Sequence, residues 1–125
     1  MNAKRINEVA HETMRALQNG RANRNKLMSF GAKNFVATMF ENKAGIRFNV
    51  NGFKHKGRVY VVLNEGADMY EVYITTQRDR IIEHVAEVWF DTLTDTIDFL
   101  VETENDKSDE YRAKVNNFFN EVLFD

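Results

Sequence analysis

The residues best suited to chemistry are three histidines, His11, His55 and His84, set among 19 acidic side chains. His11-Glu12 opens like the helix of a zinc peptidase, which needs a second His four positions after the first so that both face one side. Arg15 holds that place, and a cation cannot be a ligand. Gly52 and Gly57 have the spacing of a phosphate-binding loop, but that loop continues through Lys and Ser or Thr into a helix. Here Arg58 and Val59 lead into a strand-forming run. Ser29 and Ser108 are the only serines, and neither lies in a Gly-x-Ser-x-Gly elbow. With no Cys in the chain, disulfides, thiolate metal sites and thiol nucleophiles are excluded. These absences point away from catalysis, metals and cofactors and toward binding. An enzyme built on His84 and nearby carboxylates would need the fold to gather the histidines in one pocket.

Two constellations suit binding. Asp91, Asp95, Asp98 and Glu102 are spaced four, three and four apart, which lines them up along one side of a helix. Like charges at these spacings cost a helix roughly 0.2–0.5 kcal/mol per pair. Such a ladder partly imitates nucleic-acid charge and suits a host protein with a basic nucleic-acid groove. Phe99 beside it is a candidate anchor. The plain alternative is a solvated helix face. The second constellation is Phe53-Lys54-His55-Lys56-Gly57-Arg58. Lys54, His55, Lys56 and Arg58 interleaved with aromatic rings suit a nucleic-acid backbone and a stacked base. Here the plain alternative is a charged hairpin that deters edge-to-edge aggregation.

The elements that must position these groups follow from hydrophobic period. Ile6, Ala10, Thr13 and Leu17, with Val9 beside them, make one stripe of a helix over residues 3–18, stopped near Gly20. The basic, Asn-containing run Arg21 to Lys26 reads as a loop. Phe35 to Phe40 is rich in β-formers. Ile46, Phe48 and Val50 alternate with polar residues, and Asn51-Gly52 is a strong hairpin signal. Phe53 to Leu63 reads as a strand with Gly57 as a bulge or break, Met69 to Thr76 as a fourth strand, and Ile81 to Val88 as a fifth. Trp89, Phe90, Leu93, Ile97, Leu100 and Val101 share the apolar face of a helix. Ser108 then caps a last helix striped by Tyr111, Val115, Phe118 and Val122. The order predicts an α+β domain spanning residues 1–125, with an antiparallel meander of four to five strands covered by an N-terminal and two C-terminal helices. Surplus apolar width on the last helix (Phe119, Leu123, Phe124) allows a symmetric homodimer.

Charge is unevenly spread. Residues 1–33 hold seven Lys or Arg against two Glu, whereas residues 81–125 hold three against twelve Asp or Glu. Such polarity steers charged partners, or pairs the two ends within the fold. The longest apolar run, Val59 to Leu63, is far too short to span a bilayer, and the first ten residues contain no apolar run of a secretory signal. The expected location is the cytoplasm.

The runs Ile46 to Arg58, Trp89 to Leu93 and Ile97 to Glu102 resemble small accessory proteins of bacteriophages and mobile elements, among them inhibitors of host defence such as anti-CRISPR proteins. The resemblance implies a compact, cofactor-free protein that acts by occupying a partner's surface. It carries over no functional residue. The sequence reading is thus a non-enzymatic binding protein aimed at a host protein, with nucleic-acid binding as its alternative.

Overall fold

The computed structural model describes residues 2–102. Asn2 caps the first helix, its side-chain oxygen accepting from the Arg5 amide at 2.9 Å. This helix, α1 (Ala3–Leu17), buries Val9, Ala10, Thr13, Ala16 and Leu17, close to the stripe that the period predicts. Beyond Gly20 the run read as a loop is instead a second helix, α2 (Arg21–Ser29). Its polar composition hid it, because it buries only Leu27 of its own residues. The following Phe30 is fully buried, and together these two side chains pin a helix that is otherwise solvated.

Five strands follow: β1 (Lys33–Phe40), β2 (Lys43–Asn51), β3 (Lys56–Asn64), β4 (Met69–Thr75) and β5 (Ile81–Val88). They pair antiparallel in chain order, as a meander with β1 and β5 at the edges. The chain then passes through a 3-10 turn (Phe90–Thr92) into α3 (Leu93–Val101). The result is an α+β fold with helices on one side of an antiparallel sheet. The predicted last helix, and with it the dimer reading, lies outside the described residues.

The core sits between the helices and one sheet face. Ile46, Phe48 and Val50 of β2, Val59 and Val61 of β3, and Tyr70, Val72 and Ile74 of β4 meet Leu17, Leu27, Phe30, Leu93, Ile97 and Val101. Alternation along β2 and β4 is what directs these residues to one side. The opposite face carries a smaller cluster of Tyr60, Val62 and Tyr73, with Phe40 packed against it.

Two local expectations need correction. The β2–β3 connection is a longer loop through residues 52–55, in which the Gly52 amide donates to the His55 carbonyl. Gly52 is required there for close approach: a Cβ would lie 2.0 Å from the Val101 carbonyl oxygen. Nor is Gly57 a bulge, since it pairs in register with Val50. Its Cβ would meet the Thr75 carbonyl and the His55 ring, so packing explains the glycine. The register breaks fall on the edge strands, between Lys33 and Val36 of β1 and twice along the β4–β5 pairing. Asn34 and Glu87, both at positive φ, mark two of them.

Candidate functional site

The acidic ladder is split by the fold. Asp91 is exposed in the 3-10 turn, before α3 begins. Asp95 forms an ion pair with Lys26 of α2, joining the basic N-terminal third to the acidic stretch. Asp98 is half-buried. Burial raises its carboxyl above the ordinary range and neighbouring Asp95 adds to this, while Lys26 opposes it. Phe99 packs against the core, with the Lys54 ammonium 5.1 Å from its ring centre. One carboxylate oxygen of Glu102 is buried beside Gly52. The stripe therefore presents Asp91 and Asp95 to solvent and turns its far end toward the β2–β3 loop.

The basic loop is also engaged within the fold. The Lys54 and His55 amides both donate to the Val101 carbonyl at the end of α3, at 3.0 and 3.3 Å. The His55 ring lies 3.0 Å from the Thr75 carbonyl. Arg58 donates to Asp79 at 2.9 Å, and the Tyr60 hydroxyl shares that carboxylate at 2.6 Å. Both bonds hold the Asp79 carboxyl below its usual value, Tyr60 contributing most. Lys56 and Phe53 remain exposed.

The histidines are not gathered. His11 stays exposed on α1, His55 bonds Thr75, and His84 of β5 joins a network on the opposite sheet face. At its centre the buried Glu71 carboxylate accepts from His84 Nε2 at 2.8 Å and the Tyr73 hydroxyl at 3.1 Å, with Lys43 Nζ 3.5 Å away. Burial opposes ionisation of Glu71, but these partners outweigh it and lower its carboxyl below the ordinary value. Burial and then Glu71 push the Tyr73 hydroxyl up to about 12. The Tyr73 ring stacks flat on His84, with centres 4.1 Å apart. The Asn64 side-chain amide of β3 also donates to Glu71 at 3.5 Å. Donors converge on one carboxylate rather than on an open cavity, so the network ties β2, β3, β4 and β5 together. Among the described residues, no three His, Asp or Glu side chains group so as to hold a metal ion. No described helix is long and apolar enough to cross a membrane.

The surface that sequence reading missed lies where β5 ends. Trp89 and Phe90 were expected on the buried face of α3. The chain instead leaves β5 extended at Trp89 (φ −73°, ψ 152°) and makes the 3-10 turn before the helix begins. That turn shifts the phase, so Leu93, Ile97, Leu100 and Val101 are buried while Trp89 and Phe90 stay 43% and 50% exposed. The two rings, with Leu63 and Tyr70, line an open cleft of about 530 Å³ rimmed by Glu12, Arg15 and Asp68. This volume falls within the range of roughly 300–1,000 Å³ common for ligand sites. Trp, Tyr and Arg are also the residue types that dominate binding hot spots. The available signal in the sequence was the adjacent pair of large aromatics at a strand-to-helix junction.

No family model matches the chain, and no curated protein and no solved structure matches it.

Proposed function

We propose that the protein is a non-enzymatic binding protein that docks a partner protein on the Trp89–Phe90 cleft and the exposed acids beside it. The observation that carries this reading is the cleft itself, lined by two half-exposed aromatic side chains, consecutive in the chain, and by the buried Tyr70. Leaving such rings in water forgoes burial worth about 1.5–3 kcal/mol for a large apolar side chain, and a partner that covers them recovers it. Asp91 follows Phe90 directly, and Asp95, exposed although paired with Lys26, lies one helical turn on. A basic surface on the partner complements this rim, in line with a host protein that handles nucleic acid and with an accessory protein that inhibits by occupancy. The basic loop supports the nucleic-acid alternative less well, because the Lys54 ammonium is buried over Phe99 and the His55 and Arg58 side chains bond within the fold.

The test is capture from bacterial lysate, with and without nuclease treatment, by three immobilised proteins: wild type, Trp89→Ala/Phe90→Ala and Asp91→Lys/Asp95→Lys. A protein held by wild type and lost by both variants, each with wild-type circular dichroism, is the expected result. Equal capture by all three overturns the assignment of this surface. Capture that disappears on nuclease treatment moves nucleic-acid binding to first place.

A further inference from the structure

We infer that the Trp89–Phe90 cleft receives a cationic side chain of the partner, an arginine above all, in an aromatic cage closed by carboxylates. This rests on the binding reading above and names the chemistry of the group that enters. Trp89, Phe90 and Tyr70 all line the cleft, whose volume of about 530 Å³ leaves space for an occupant against their side chains. Ring faces attract cations, Trp most strongly, and the guanidinium group is planar enough to stack on them. Glu12 of α1 and Asp68 of the β3–β4 turn stand on the rim. Both are exposed, and neither makes an ion pair with another described residue.

Their field reaches the floor of the cleft. Burial pushes the Tyr70 hydroxyl up, a hydrogen bond with Thr13 opposes this, and Glu12 and Asp68 both add to the rise. A cation arriving there meets the field of two carboxylates. Arg15 is the one basic residue among the described residues of the lining, where the acids outnumber it. Exposed Glu87 and Asp91 bracket the ring pair in sequence. An anionic occupant would meet this excess of negative charge. A purely aliphatic one would leave the carboxylates unanswered.

Trp89 is the only tryptophan in the chain, so its emission reports occupancy directly. The experiment titrates the 125-residue chain with three capped nonapeptides of Gly and Ser that differ at the central residue: arginine, citrulline or norleucine. Citrulline keeps the shape of arginine without its charge. The arginine peptide should give a saturable emission change, at least tenfold tighter than citrulline, that weakens with added salt. Glu12→Gln/Asp68→Asn should lower its affinity at least threefold, and Arg15→Ala should raise it, because a like charge leaves the rim. Equal affinity for all three peptides overturns the cation inference while leaving an apolar binding cleft in place. Silence of Trp89 toward every peptide also overturns it, and lysate capture decides the wider reading independently.

Discussion

Removing the Glu71 carboxylate is the sharpest test of how the sheet is held together. Its side chain is 9% exposed and answers four donors on four strands, Lys43, Asn64, Tyr73 and His84. In Glu71→Ala the Tyr73 hydroxyl, on a residue 6% exposed, loses its acceptor. An orphaned buried donor costs about 1–3 kcal/mol. Lys43 and His84 are more exposed and rehydrate, so their pairs contribute no more than about 0–1 kcal/mol each. The expected total is a loss of about 1–5 kcal/mol, against the roughly 5–15 kcal/mol typical of a domain. Urea denaturation should show a lower midpoint with unchanged slope. Adding Tyr73→Phe to Glu71→Ala should recover about 1–2 kcal/mol, because the orphaned hydroxyl is then gone. The pH dependence has a definite sign. Since the folded carboxyl lies below its unfolded value near 4.5, its contribution is present above pH 4.5 and lost as pH falls through the folded value. Glu71→Gln should flatten that acid limb. A Glu71→Ala protein within about 0.5 kcal/mol of wild type, a change ordinary for surface substitutions, would refute the network's structural role, as would an acid limb unchanged in Glu71→Gln.

Other outcomes follow from the same geometry. Asp98→Asn should stabilise the protein at neutral pH, because burial disfavours the charged form and Asp95 stands one turn away. A folded value above 3.8 means that the gain should vanish below that pH, which urea midpoints at pH 7 and pH 3 would show. Gly52→Ala should cost about 1–3 kcal/mol through the clash with the Val101 carbonyl, the usual scale for overpacking. Thermal unfolding measures it, and an unchanged Tm would mean that the loop moves freely off α3.

The alternating runs of β2 and β4 and the stripe of α1 were legible in the sequence, because period alone dictates which residues share a face. Short turns between the strands dictated the meander for the same local reason. The α2 helix was not legible: its hydrophobic content is slight, and its stability comes from Leu27 and Phe30 meeting residues far along the chain. The acidic ladder shows the same limit. Spacing along the chain aligned Asp91, Asp95, Asp98 and Glu102, yet contact with Lys26 and burial near the β2–β3 loop divided their roles. Likewise no local pattern joins Glu71 to His84, whose pairing depends on strand register across β4 and β5. Trp89 and Phe90 are the clearest case. Their apolar character suggested core, and a single 3-10 turn left them at the surface instead. Period and composition act over a few residues and so decide elements. The cleft is assembled from α1, β3, β4, a turn and the end of β5, and only folding brings those together.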